Sequence, residues 1–151
     1  GRFAPRLNVS RADFLVMVMR AYDIKPDKEI RDNFSDAGNK YYTEYLGTAK
    51  RLGLVLGVGD NKYAPEITIS RQDMFVILYR ILERIGELPA GTAGRTLESF
   101  PDKVDISDYA WEAMNLFVAT GTVKGDGTRL NPKTTATRAE TAQILYNLLT
   151  Q

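Results

Sequence analysis

The sequence predicts an all-helical fold built from tandem helix–loop–helix units, and three observations predict it. One frame recurs in "FAPRLNVSRADF" (3–14), "YAPEITISRQDM" (63–74) and "LNPKTTATRAET" (130–141): a bulky apolar residue, Pro two positions later, Ser or Thr five after the Pro, then Arg, then Asp or Glu two after the Arg. Every copy opens a stripe of apolar residues at helical period. Two of the copies are preceded by a second such stripe that stops at a glycine.

In chain order, Ser10 is a good N-cap and Asp13, three residues on, stands where a capping box needs its partner, so a helix starts at Arg11. Phe14, Leu15, Met17, Val18, Ala21 and Tyr22 then recur along one helical face. The stretch "DIKPDKEIRDN" (23–33) carries the Pro and polar residues of a linker, and "FSD" (34–36) opens the next unit. Residues 40–53 place Tyr42, Tyr45, Leu46 and Ala49 on one face of a lead helix that Gly53 ends at positive φ. Gly57 opens the turn-rich "GVGDNKYAP" (57–65). Ser70 and Asp73 then cap a second helix with the stripe Met74, Phe75, Ile77, Leu78, Ile81 and Leu82.

The third unit repeats the second. After the linker "GELPAGTAGRTLES" (86–99) come "FPD" (100–102), a lead helix over 108–121 with Ala110, Ala113, Met114 and Phe117 on one face, and Gly121 at its end. Gly125 opens "GDGTRLNP" (125–132), and Thr137 and Glu140 cap a helix with the stripe Thr141, Ala142, Ile144, Leu145, Leu148 and Leu149. The boundaries are therefore a half unit at 1–24, whole units at 34–86 and 100–151, and linkers at 25–33 and 87–99. All three capped stripes read as core, their methionines as gap fillers.

Composition removes several function classes. The 151 residues are 44% hydrophobic, enough for one sizeable core, and 20 basic against 19 acidic side chains leave a formal charge of +1, unlike a nucleic-acid protein built on a basic face. No apolar run reaches the roughly 18 residues of a membrane span, and residues 1–20 lack the pattern of a signal peptide, so the chain reads as a mature or truncated piece. Cysteine and histidine are both absent, which excludes disulfides, thiolate and Ser-His-Asp catalysis and the common zinc sites. No metal or cofactor is expected. "DNKYAPE" and "DGTRLNPKT" lack the alternating ligands of a calcium loop.

Arg11, Arg71 and Arg138 each occupy the first helical position, where the helix dipole disfavours a cation. Three such arginines in register are poorly explained as solvated surface charge. The full pattern is F-x-D, an aromatic-led helix, G-x-x-x-G, an aromatic- or Leu-x-Pro loop, then [ST]-R-x-[DE]. It resembles the S-layer homology repeat of bacterial surface proteins, whose best-known string is "TRAE", here at 137–140. The resemblance spans nearly the whole chain and implies three repeats around a pseudo-threefold axis with a central helical bundle. It implies a secreted domain at the cell surface, anchored without covalent bonds to a peptidoglycan-linked secondary polysaccharide that often bears pyruvate ketals. The binding arginines it implies are Arg11, Arg71 and Arg138. This sequence has Tyr41 and Tyr109 where the family commonly has Trp, with Trp111 displaced by two, and "SRAD" and "SRQD" in place of "TRAE".

The residues admit a physical account beside that resemblance. A helix start with spare N–H groups attracts an anion, and a guanidinium fork can take a carboxylate through two hydrogen bonds. The competing explanation for the arginines is an internal salt bridge to Asp36 or Asp102, which would still let an arginine bind ligand with its remaining donors. Gly57 and Gly125 suit close approach to a sugar or simply the loop; Tyr41, Tyr109 and Trp111 suit sugar stacking or core packing.

Three function classes follow: a carbohydrate-binding anchor, a protein–protein assembly module, and an enzyme. Acids that recur in equivalent caps cannot supply the distinct environments that acid and base roles need, so no enzyme is expected. Only two F-x-D lead segments accompany three arginines. Arg71 and Arg138, each in a unit with its own lead helix, are therefore expected to line the better-formed sites, and a second chain is a candidate source of the missing helix.

Overall fold

Ser10, Ser70 and Thr137 each start a helix, their hydroxyls accepting from the backbone N–H of Asp13, Asp73 and Glu140 at 3.0, 3.2 and 3.1 Å. The computed structural model describes residues 7–92 and 95–150. Its helices are α1 (Arg11–Ala21), α2 (Thr43–Leu52), α3 (Arg71–Ile85), α4 (Trp111–Ala119) and α5 (Arg138–Leu149). Short 3₁₀ turns occupy Leu97–Ser99, Pro101–Asp105 and Asp108–Ala110. Among the described residues there are isolated bridges and no strand. Gly53 and Gly121 stop the two lead helices at φ +72° and +78°. The reciprocal capping box forms only at Thr137–Glu140; Asp13 and Asp73, one methylene shorter, do not reach back to the cap N–H.

The three residues two positions before the arginines close a ring of backbone hydrogen bonds. Val9 N–H donates to Ala136 O (3.0 Å), Ala136 N–H to Ile69 O (2.9 Å) and Ile69 N–H to Val9 O (2.9 Å). Each unit thus gives to one neighbour and receives from the other. All three residues are fully or almost fully buried, so the ring satisfies polar groups that no water can reach. Around it α1 packs against both α3 and α5, and the Thr141 hydroxyl meets the Met74 sulfur at 3.7 Å.

Each lead helix covers the capped helix of the unit before it, α2 on α1 and α4 on α3. Gln72, at the start of α3, fixes the second pair through Ser107, donating to its hydroxyl and accepting from its N–H. The stripe of α3 is entirely buried, but that of α5 is not: Leu149 is 51% exposed, with Ala139 and Tyr146 exposed beside it. No lead helix lies on α5 among the described residues. Phe3 and Pro5 of the first recurring string lie outside the described residues, as does Gln151 at the end of the third unit.

The stretches read as linkers are packed. Asp27 N–H donates to the Thr48 hydroxyl of α2 (2.7 Å), Asn33 Nδ2 donates to Thr43 O, and Ile30 fills the space over Gly47. Leu97 of the second stretch is buried. In the first stretch a side chain of the following helix thus satisfies a backbone group that a free segment would leave to water.

Gly57 lies at φ +84°, and a Cβ there would strike the Lys62 carbonyl oxygen and sit 2.9 Å from the Phe34 ring. Gly57→Ala should therefore lower stability by about 1–3 kcal/mol, read as a shift of the urea midpoint at unchanged slope. An unshifted midpoint would mean that the loop can rearrange.

Candidate functional site

Asp36 and Asp102 build the loops that the arginines meet. Asp36 accepts from Tyr63 N–H (2.9 Å) and Ala64 N–H (2.8 Å); Asp102, itself buried, accepts from Leu130 N–H (3.0 Å) and Asn131 N–H (2.8 Å). Ala64 and Asn131 sit at φ +57° and +53°, a strained turn that the paired N–H bonds hold. The other side of the same peptide faces the arginine of the preceding unit. Arg11 Nε donates to Tyr63 O (2.8 Å) and Arg71 Nε to Leu130 O (2.9 Å). The aspartates therefore do not pair with the arginines at ion-pair distance; aspartate and arginine clamp one loop residue between them.

The spare N–H groups expected at the helix starts are also in use. Arg11 N–H donates to Ile67 O and Ala12 N–H to Pro65 O, while Arg71 N–H and Gln72 N–H donate to Thr134 O and Pro132 O. Arg138 N–H donates to Leu7 O. With the third N–H on the cap hydroxyl, the first three backbone donors of α1 and of α3 are taken. An anion there must be met by side chains.

The guanidinium groups differ in what holds them. Arg71 Nη1 pairs with Glu140, which also completes its own capping box, and burial pulls the Arg71 pKa below its ordinary value while Asp126 and Asp102 oppose the shift. Arg138 Nη1 stands 3.6 Å from Asp13. Arg11 is 8% exposed, its Cζ stacks 4.7 Å from the Tyr63 ring centroid, and among the described residues no carboxylate pairs with it. The acid at the matching position is Asp73, whose carboxylate instead accepts the Tyr109 hydroxyl at 2.5 Å. Partial burial of that hydroxyl, together with Asp73, pushes the Tyr109 pKa up.

Two of these arginines open on cavities. Arg11 lines one of about 520 Å3 with Gly57, Tyr63, Asp73, Arg80 and Tyr109; Arg71 lines one of about 440 Å3 with Gly125, Glu140, Gln143 and Asn147. Each cavity joins the arginine of one unit to the loop and capped helix of the next. The first also receives Tyr109 from the unit after that. Arg11, expected from sequence to line the less complete site, has all three contributions, because an arginine uses the neighbouring loop and not its own. Phe3, which stands in the sequence frame where Tyr63 and Leu130 stand in the other copies, lies outside the described residues.

Gly57 and Gly125 line these cavities, but positive φ and the nearby carbonyls of Lys62 and Arg129 already require glycine there. The core-packing account of the aromatics fails: Tyr41 is 60%, Tyr109 62% and Trp111 41% exposed. Tyr109 alone of the three lines the Arg11 cavity; Tyr41 lies edge-on to Tyr42, and Trp111 lines neither cavity. Sequence reasoning missed Tyr63 as the platform under Arg11, the acids as partners across units, and Arg80. Only Arg80 left a usable signal, its register nine residues after Arg71.

The family profile described as the S-layer homology domain matches residues 33–75 and 99–142, more than half of the chain. Among similar proteins, amylopullulanase of Thermoanaerobacterium thermosulfurigenes is 33% identical over 150 residues, covering 98% of this chain and 8% of that protein. The S-layer protein sap of Bacillus anthracis is 28% identical over 148 residues, covering 96% of this chain and 17% of that protein. The cellulosome-anchoring protein of Acetivibrio thermocellus is 25% identical over 156 residues, covering 99% of this chain and 34% of that protein. The chain thus spans a small part of each of these relatives.

The loop beside Arg71 has a titratable reporter. Asp126 is held at a pKa of about 2, against an ordinary 3.8, chiefly by hydrogen bonds from the N–H groups of Arg129 and Thr128. A depressed folded value means that its contribution to loop order is complete above the ordinary value and lost as pH falls through about 2. Carboxyl-detected NMR should give a midpoint near pH 2, with the Thr128 and Arg129 amide shifts moving over the same range. A midpoint at the ordinary value would mean that those hydrogen bonds are not kept in solution.

Proposed function

This chain belongs to the S-layer homology family, and on that premise we propose that it is a non-catalytic module that anchors a larger protein at the bacterial cell surface by binding an acidic wall polysaccharide. The names of its relatives, S-layer proteins and a cellulosome-anchoring protein, support the surface location. The enzyme relatives share only this segment of their length, so their catalytic activities are not carried over.

One observation carries the ligand chemistry. Arg11 is almost fully buried, its Nε is fixed on Tyr63 O and its plane on the Tyr63 ring, yet no carboxylate neutralises it among the described residues. A charge so placed is costly unless an external anion pairs with it. A pyruvate-ketal carboxylate fits that role: it is flat, singly charged and matched to the two Nη groups that remain. Tyr109, 62% exposed, lines the same cavity and is available to a sugar.

A second reading, an assembly module, draws on the exposed Ala139, Tyr146 and Leu149 of α5, the face that α2 and α4 cover on the other two capped helices. A lead helix from a second polypeptide would cover it. That reading requires self-association that Tyr146→Glu abolishes, and wall binding that survives chemical removal of the secondary polymer.

The anchoring reading expects the opposite. Purified sacculi should retain the chain before removal of the polymer and lose it after, and mild acid that strips pyruvate should remove most of the affinity. By calorimetry, Arg11→Lys should cost about 1.5–3 kcal/mol of binding, the worth of hydrogen bonds to a charged group. Arg71→Lys should cost less, because Glu140 already occupies that guanidinium. Unchanged binding of folded Arg11→Lys would refute carboxylate recognition by this arginine.

A further inference from the structure

We propose that Arg80 is a second ligand-contacting residue of the Arg11 cavity, and that this cavity selects a saccharide carrying two acidic groups. The inference rests on the anchoring reading and adds to it a residue and a substrate class. Arg80 follows Arg71 by nine residues on α3. At roughly 100° per residue, nine residues turn a helix through about half a circle beyond whole turns. One capped helix therefore shows its first residue to one cavity and its tenth to the other: α3 gives Arg71 to the cavity beside α5, and Arg80 to the cavity beside α1.

Arg80 is half-buried and, among the described residues, has no hydrogen bond or ion pair. Its nearest acids do not neutralise it. Glu112 accepts the Tyr79 hydroxyl at 2.8 Å, Asp73 accepts the Tyr109 hydroxyl, and Glu83 and Glu112 share with Arg80 an adjoining recess of about 220 Å3 without forming an ion pair to it. One cavity thus holds two arginines, Arg11 and Arg80, neither paired with a carboxylate, while its single lining acid is engaged by a tyrosine.

The Arg71 cavity differs at the same register. Asn147 replaces Arg80, Gln143 replaces Val76, and Glu140 neutralises Arg71, leaving Lys124 on the exposed rim. It is built for a neutral sugar or a single acid. The first α-helix puts Arg20 at this register, where it donates to the Tyr45 hydroxyl at 3.1 Å and stacks on that ring. Of the three positions, Arg80 alone is a cation left for a ligand.

Two synthetic disaccharides test this by calorimetry on the whole chain: a pyruvate-ketal hexosamine linked to a neutral hexose, and the same sugar linked to the corresponding hexuronic acid. The parent should prefer the diacid by about five- to tenfold. Arg80→Gln should lower diacid affinity by about that factor and leave monoacid affinity nearly unchanged, bringing the ratio near one. Arg84→Gln, which removes the same charge from an exposed site on α3, should keep the preference. Equal binding of both sugars by the parent, or a preference that survives Arg80→Gln, overturns the inference and leaves the anchoring reading standing. Failure of both sugars to bind the parent overturns both.

Discussion

One peptide unit per loop, held from both sides, is the constraint on which the rest of the structure depends. The Tyr63–Ala64 peptide gives its N–H to Asp36 of its own unit and its carbonyl to Arg11 of the preceding one; the Leu130–Asn131 peptide does the same with Asp102 and Arg71. The neighbouring carbonyls then take the first N–H groups of α1 and α3, donors that an isolated helix would leave to water. A single unit cannot satisfy either set of groups. Its loop lacks the cation and its helix lacks the acceptors, so the units fold as a group, and the ring through Val9, Ala136 and Ile69 joins them at the buried centre.

The arginine at the first helical position, unfavourable by the dipole, is explained by this exchange. At Arg11 and Arg71 the Nε is a structural donor, and only the Nη groups remain for other work. What they meet depends on how the acid of the next unit is held. Glu140 reaches Arg71 and still serves its own cap; Asp13 pairs with Arg138 at 3.6 Å; Asp73, as short as Asp13, turns to Tyr109 and does not reach Arg11. The acid's own partner, and not its length alone, sets whether the guanidinium has a carboxylate beside it. The charge of each cavity is therefore a local property, although the backbone around it repeats.

The helices were legible because their signals are local. Caps at Ser10, Ser70 and Thr137, stripes at helical period and stopping glycines at 53 and 121 lie within a few residues of the structure they cause. The importance of the three arginines was legible from their register. Their partners were not, since Arg11 and Tyr63 are 52 residues apart and the order in which units meet is a property of the assembled ring. The same blindness made Arg71 look better provided than Arg11, and hid the contacts that the segment before Phe34 makes with α2. Exposure of Tyr41, Tyr109 and Trp111 was hidden for another reason: aromatic residues at helical spacing carry no mark of which side faces the core.

On the anchoring proposal, binding and folding share atoms at Arg11 without competing for them. Nε stays on the Tyr63 carbonyl and the ring of Tyr63 fixes the guanidinium plane, so the orientation that a carboxylate needs is set before the ligand arrives. Ordering a free arginine on binding costs on the order of 0.5–1.5 kcal/mol; here that cost is met when the units assemble. Tyr63 is in turn fully buried, and its hydroxyl donates to the Arg11 carbonyl at 3.2 Å, which ties the platform to the helix it supports. A cavity made this way is rigid where it meets the acid and variable at the helix position nine residues on. Repeating the unit preserves the first feature, and changing one side chain per copy alters the second.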